Sequence, residues 1–194
     1  MGKACARAVK VLIAGTPGVG KTTLSRYIAE KMGWDVVSVS DVIEQEGLYE
    51  RRCEKYDTLE YSPKKVRRYL KKMEAGKSGR VFDTHDPECV RFVKFGALVV
   101  LSCDLSVLYR RYQERKYSEE KSEENNEAEI MEVAYTSVIE ELCKTEEEIE
   151  DIIRVCTTDG KREKTLAEIF GEIEKSATWK KMVERAEECG KQRQ

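Results

Sequence analysis

VLIAGTPGVGKTTLSRYIAEKMG, residues 11–33, joins a continuous apolar run to a helical one through a glycine-rich turn. The run from Val9 to Ala14 carries one lysine and no alternation, the pattern of a strand buried on both faces. From Thr22 to Met32, the residues Leu24, Tyr27, Ile28 and Met32 share one helical face, and Gly33 supplies a stop. Between the two, Gly15-Thr16-Pro17-Gly18-Val19-Gly20-Lys21-Thr22 fits the phosphate-loop pattern GxxxxGK[ST] at every fixed position. Its glycines let successive backbone N–H groups turn onto an anion with no Cβ in the way. The loop delivers that anion to a helix N-terminus, where unpaired donors and the helix dipole favour negative charge. Lys21 reaches the β and γ phosphates as a point charge, and the Thr22 hydroxyl is a candidate Mg²⁺ ligand.

The remainder of the chain alternates strand and helix. Val36 to Val39 is a second β-branched run, and Asp41 with Glu44 three residues on predicts a helix opened by a capping-box-like pair. Ser62-Pro63 opens another helix, with Val66, Leu70 and Met73 on its inner face and basic residues outside. RVFD (80–83), ALVVL (97–101) and IIRVC (152–156) are the third, fourth and fifth strand candidates, with a helix from Leu105 to Lys116. SEEKSEENNEAE, 118–129, is too charged to pack and reads as a solvated loop or the polar start of a helix. Ile130 to Cys143 has helical periodicity in Ile130, Val133, Ala134, Val138 and Leu142. The tail from Lys164, about 164–190, is amphipathic through Leu166, Ile169, Phe170 and Ile173, whereas its last dozen or so residues need not be ordered. Strands separated by helices imply βαβ units and a parallel sheet covered on both faces. The expected class is α/β, a three-layer αβα P-loop NTPase fold in one domain.

Composition narrows the partners. Charged residues make up 37% of the 194 residues yet nearly cancel to a net charge of −2, so any nucleic-acid or lipid contact must be a local patch. The candidate patch is Lys64, Lys65, Arg67, Arg68, Lys71 and Lys72, which is equally the solvated face of a helix. No apolar run approaches the roughly 20 residues of a membrane span, and MGKACARAVK carries no apolar signal core, so neither membrane insertion nor secretion is expected. Seven scattered cysteines with no CxxC pair suit reduced intracellular thiols better than a disulfide frame or zinc site.

A phosphate loop alone does not separate GTPases, motor-type ATPases and small-molecule kinases. A guanine-reading NKxD motif is missing, since the only asparagines are Asn125 and Asn126 within EENNEAE. A recombinase or transporter ATPase needs a larger domain and further signature loops. A nucleotide or metabolite kinase fits best, and it needs a metal-holding carboxylate, an acceptor segment and cations over the transferring phosphoryl group. Asp83 ends the third strand, where a metal-linked carboxylate belongs, although a strand-end or N-cap aspartate has the same pattern. His85, the only histidine, stands two residues on and is either an ordinary hydrogen-bonded side chain or the group that orients a water. Arg111 and Arg115 lie four apart on one helix face, candidate lid cations or partners of Glu114 on a surface helix.

GTPGVGKTT, VSVSDVIEQEGLYE with EKYD, FDTHD and LYRRYQERKYSEEKSEENNEAEI resemble, in order and spacing, the adenylate kinase isoenzyme six family. That is a nuclear adenylate kinase–like ATPase family of small ribosomal subunit assembly. The similarity runs from about Val9 to Val138, and Asp-x-His in place of the Asp-Gly-Phe-Pro-Arg run of ordinary adenylate kinases is its most specific mark. The resemblance implies a five-stranded parallel sheet, an acceptor segment near 41–75 that includes Asp41, and a short lid near 112–128. It implies that Gly15, Pro17, Gly18, Val19, Gly20, Lys21, Thr22, Thr23 and the lid's Arg115 bind ATP. Tyr117 and Asn125 complete the lid pattern, and Arg111 is the first arginine of the lid helix. Asp83 and His85 become the pair linked to Mg²⁺, through water, and to water activation. The implied substrates are ATP with AMP or dAMP, in a monomer of nucleus and cytoplasm that contacts a small-subunit ribosomal protein. Three departures stand out: Lys116 occupies a lid position that is usually Gly, DPECVRFVKF replaces an aromatic-rich run, and the acceptor-side helix is basic instead of acidic.

Overall fold

The computed structural model describes residues 9–191 apart from 55, 57 and 74–78, with side chains as far as 188. Cys5, the side chain of Cys189, residues 192–194 and four positions of the expected acceptor segment lie outside the described residues.

The chain opens with β1 (Lys10–Gly15), turns through the glycine-rich loop into α1 (Lys21–Met32), and continues through β2 (Asp35–Ser38) into α2 (Val39–Gln45). A hairpin of β3 (Tyr49–Cys53) and β4 (Thr58–Tyr61) precedes α3 (Pro63–Met73) and β5 (Arg80–Thr84). After a short 3-10 turn at Pro87–Val90 come β6 (Ala97–Ser102), α4 (Leu105–Glu114), α5 (Glu119–Ile130), α6 (Val133–Leu142) and α7 (Glu146–Glu150). β7 (Ile153–Cys156), a second hairpin of β8 (Thr158–Asp159) and β9 (Arg162–Glu163), α8 (Leu166–Lys175) and α9 (Ala177–Lys191) follow.

The main sheet has five parallel strands in the order β2-β5-β1-β6-β7. Successive residues of β1 point to opposite faces, and both faces are covered. Val11 and Ile13 join Leu24 and Ile28 of α1, Leu108 of α4 and Phe170 of α8, while Leu12 and Ala14 join Ile43 of α2, Val66 and Leu70 of α3 and Val138 of α6. An unalternating apolar run is the sequence form of that arrangement. β1 lies between β5 and β6, so the strand order reverses beside it, and the crevice at the carboxyl ends is where this kind of sheet holds ligands.

Several local expectations need correction. α2 begins at Val39, not Asp41: Ser38 is the cap and accepts from the Asp41 N–H at 3.3 Å, which leaves Glu44 outside any capping box. On α3, Met73 is 46% exposed, and Arg67 turns inward to donate to the Glu88 carbonyl at 3.2 Å. Residues 119–130 are a helix without an apolar face; Ser118 caps it, and Glu119 and Glu120 suit the positive end of the dipole. The helix expected from Ile130 to Cys143 is broken where Glu132 takes a φ of 51°, and Ile130 and Val133 are 61% and 47% exposed. The tail is helical to Lys191, because Trp179 and Met182, three residues apart, are buried against the α1 face of the sheet. The Trp179 ring stands 5.5 Å from Phe170 and 6.3 Å from Trp34.

Candidate active site

The phosphate loop leaves the end of β1 pressed against its neighbours. A Cβ on Gly15 would lie 2.7 Å from the Leu101 carbonyl of β6, so only a bare backbone lets the loop depart there. Gly18 has φ +93°, and a Cβ on it would lie 2.8 Å from the Tyr112 ring and 3.0 Å from Leu108, both on α4. That helix also grips the loop through hydrogen bonds. The Tyr112 hydroxyl donates to the Pro17 carbonyl at 2.7 Å, and the Arg111 guanidinium donates to the Gly18 carbonyl at 2.7 Å. Two of the loop's acceptors are thereby committed to the protein, which leaves it rich in donors for an anion.

Lys21 bridges the loop by donating to the Thr16 carbonyl at 3.1 Å. Its pKa is lowered to about 8, chiefly by burial and also by the Arg115 charge, with Asp83 and Glu129 opposing. The Thr22 hydroxyl donates to Asp83 Oδ2 at 2.5 Å. Asp83 is 4% exposed; burial raises its pKa and Asp41 adds to the rise, with Thr22, Lys21 and Arg26 opposing. A hydroxyl and a carboxylate in contact form a hard-oxygen pair at the anion's expected position. This suits Mg²⁺, which keeps water and phosphate oxygens and needs few protein ligands. Among the described residues no group of three or more His, Cys, Asp or Glu gathers as a dedicated metal cage.

His85 follows β5 with its ring open to the cleft. Crowding by protein atoms and then the Lys21 charge lower its pKa, with Asp86 opposing, so the neutral imidazole is the form present at pH 7. The segment that carries it is pinned by Asp86, a residue the sequence does not single out. The Asp86 N–H donates to Thr84 Oγ1 at 2.9 Å, and its carboxylate accepts from the Glu88 N–H at 3.1 Å and from the Tyr61 hydroxyl at 3.0 Å. Tyr61 thus ties the β3–β4 hairpin to the His85 segment.

Two cavities meet at the loop. The first, about 440 Å³, brings Lys21 and Thr22 together with Asp83, His85, Asp41 and Arg115, and adds Tyr117 and Asn125 from the lid. Pro17, Gly18, Gly20 and Thr23 also line it. The second, about 460 Å³, lies between the loop and the β8–β9 hairpin, with Val19, Arg111, Arg115, Thr157 and Lys164 in its wall. Gly15 borders neither; its contribution is the close packing of β1 on β6.

Arg115 stands at the end of α4 and borders both cavities, and its guanidinium has no hydrogen-bond or ion-pair partner among the described residues. Lys116 follows with φ 57°, a left-handed conformation that explains why a glycine suits this lid position. Tyr117 then stacks on Tyr112 at 5.5 Å and has the Lys121 ammonium over its ring at 4.2 Å, while the Asn125 amide donates to the Lys121 carbonyl at 2.8 Å. Arg111 departs from expectation. Glu163 Oε2 accepts from it at 2.5 Å, and Arg110 pairs with the same carboxylate, so Arg111 is held behind the loop instead of over the first cavity. Neither Glu163 nor the Tyr112 hydroxyl contact has a signal in the linear sequence.

Comparison with known proteins agrees with this geometry. A family profile described as an AAA domain matches residues 11–132. The adenylate kinase isoenzyme 6 homolog of Schizosaccharomyces pombe is 37% identical over 123 residues, covering 63% of this chain and 70% of that protein. The Caenorhabditis elegans homolog is 32% identical over 165 residues, 79% of this chain and 91% of its own length. A putative adenylate kinase of Thermococcus gammatolerans is 34% identical over 165 residues, 85% of each chain. Among solved structures, a shikimate kinase from Acinetobacter baumannii aligns with a TM-score of 0.56 at 15% identity, over 87% of this chain and 94% of that one. A gluconokinase from Sinorhizobium meliloti aligns at 0.53 and 17% identity, over 96% and 98%; these two likenesses concern the fold alone. With a P-loop kinase fold and relatives matched along most of their length, the chain belongs to the adenylate kinase isoenzyme 6 family.

Proposed function

We propose that the protein is an ATP-dependent nucleoside monophosphate kinase that converts ATP and AMP to 2 ADP, accepts dAMP, and hydrolyses ATP when no acceptor is bound. The observation that carries this reading is the pair of cavities sharing Gly18, Gly20, Thr23 and Arg115. The triphosphate lies along the loop with its base toward the β8–β9 hairpin, and the acceptor enters the cavity that holds Asp41, Asp83 and His85. The names of relatives in yeast, nematode and archaea support the substrate class.

An oxygen of the acceptor's phosphate attacks the γ phosphorus, and the bond to the β–γ bridging oxygen breaks, leaving ADP on both sides. Little covalent help is required; positioning and charge carry the step. Lys21 and Arg115 face the negative charge on the transferring group, and the loop's N–H groups hold the β phosphate. Thr22 and, through water, Asp83 would hold a Mg²⁺ ion, which would supply positive charge against the phosphates. In the hydrolytic reaction, neutral His85 accepts a hydrogen bond from the attacking water.

A panel of acceptors with ADP formation as readout tests the proposal. AMP and dAMP should accelerate ADP formation well above the rate with water. A panel in which no monophosphate does so, or in which a non-nucleotide hydroxyl does, contradicts it. A role in maturing the small ribosomal subunit and its 18S rRNA, with a ribosomal-protein partner and nuclear and cytoplasmic residence, is supported by the family resemblance and belongs to the same proposal. Capture from lysate with and without ATP should bring down a pre-ribosomal protein; its absence under both conditions removes this part.

A further inference from the structure

We propose that the hydrogen bond between Tyr61 and Asp86 sets how the γ phosphoryl group is divided between the acceptor and water, because it fixes one wall of the acceptor's cavity against the segment bearing His85. The role rests on the monophosphate-kinase reading above. Two nucleophiles compete for the same phosphorus. An oxygen of the acceptor's phosphate gives two ADP, whereas a water oxygen gives ADP and inorganic phosphate and releases its proton. Water needs no wall to hold it, so transfer depends far more than hydrolysis on where that wall stands.

The wall is the β3–β4 hairpin, whose Thr58, Leu59 and Tyr61 line the cavity. No residue of either strand is buried, so packing does little to set the hairpin's angle to the body. Asp86 takes on that task. Its Oδ2 accepts from the Tyr61 hydroxyl at 3.0 Å and from the thiol of Cys89, a wholly buried residue, at 3.3 Å. Burial and the Asp86 charge raise the Tyr61 pKa, so its hydroxyl remains a donor at neutral pH. A charge-assisted bond in so sheltered a place is among the stronger kinds.

The rest of Asp86 serves its own turn. Its Oδ1 accepts from the Glu88 N–H at 3.1 Å. The Thr84 hydroxyl accepts from the Asp86 N–H at 2.9 Å and donates to the Asp86 carbonyl at 3.1 Å. These bonds shape the turn that presents His85. Arg67 separately holds α3 to that turn, donating to the Glu88 carbonyl at 3.2 Å and pairing with the Glu88 carboxylate at 3.5 Å. Loss of the Tyr61 hydroxyl therefore frees the hairpin, while the helix after it and the His85 turn stay in place. Tyr61 and Asp86 are positioning residues, and only Asp86 supports both reactions.

The test follows γ-labelled ATP in Tyr61→Phe, Asp86→Ala and Arg51→Gln, without AMP and at one AMP concentration that saturates the native protein. Tyr61→Phe should raise the ratio of labelled inorganic phosphate to labelled ADP about tenfold, and raise KM for AMP more than KM for ATP. Asp86→Ala should lower hydrolysis as well as transfer, because the His85 turn loses its support. Arg51→Gln, on the same hairpin but outside the cavity and paired with Glu60 at 2.6 Å, should leave the ratio within about twofold. A Tyr61→Phe protein that loses transfer and hydrolysis in equal proportion has lost a structural brace, which overturns the assignment, as does an unchanged ratio. Hydrolysis untouched in Asp86→Ala overturns the support of His85 by Asp86. A native protein that passes label to no monophosphate removes the functional reading and this assignment together, whereas native transfer with a ratio unmoved by Tyr61→Phe removes the assignment alone.

Discussion

The loop from Gly15 to Thr22 and the hairpin from Tyr49 to Tyr61 both serve the first cavity, but they are made in contrasting ways. The loop is wedged against β6 and α4 so closely that Gly15 and Gly18 have no room for a Cβ, and its carbonyls are bonded to Tyr112 and Arg111. The hairpin is mostly exposed, held across its strands by Arg51 with Glu60 and joined to the body through Tyr61. A triphosphate presents the same groups in every kinase of this kind, so a rigid, buried cradle suits it. An acceptor differs from enzyme to enzyme, and an exposed arm can change its side chains at a cost of about 0–1 kcal/mol per surface pair. Rigidity therefore lies on the donor side and adaptability on the acceptor side.

The contrast is easiest to break at Lys21. Lys21→Ala should lower both phosphotransfer and ATP hydrolysis by at least about 10²–10³-fold, the scale for one preorganised charge at a transferring group. Steady-state rates within tenfold of the native protein would mean that the loop is not the reacting site. Next comes Gly18→Ala, which adds left-handed strain to a 2.8 Å approach to the Tyr112 ring. It should destabilise the fold by about 3 kcal/mol in chemical denaturation, against under about 0.5 kcal/mol for Arg51→Gln on the hairpin. Equal losses at the two positions would erase the distinction. Tyr112→Phe leaves the Pro17 carbonyl without its donor and should cost about 1 kcal/mol, read as a lowered melting temperature with weaker ATP binding. The smallest effect is a gain. Lys116→Gly relieves a φ of 57° and should stabilise by up to about 1 kcal/mol, whereas a β-branched residue there should destabilise.

The same contrast governs what could be read from the residues alone. Strands buried on both faces write themselves as apolar runs, so the five strands of the main sheet and the loop at its centre were legible. YERRC and TLEY, the hairpin strands, show neither an apolar run nor clean alternation, because their surface is solvated, and their pairing was invisible. Residues 119–130 read as either a solvated loop or the polar start of a helix for a related reason: the helix there is supported by the Ser118 cap and by glutamates at the dipole, and an apolar stripe is lacking. Asp83, His85, Asp41 and Arg115 line one cavity, and it was the family resemblance that put Asp41 and Arg115 with the other two. Arg111 does not join them, and its restraint by Glu163, 52 residues away, is a tertiary fact with no local trace. Trp179 and Met182 show how two buried side chains can order a tail that its charge makes look frayed.

The most direct measurement follows γ-labelled ATP in the presence of AMP, with Lys21→Ala as the blank. The account predicts that the label passes to AMP, giving labelled ADP with two ADP formed for each ATP consumed and no matching release of inorganic phosphate. Label appearing only as inorganic phosphate, at the same rate with and without AMP, would contradict it.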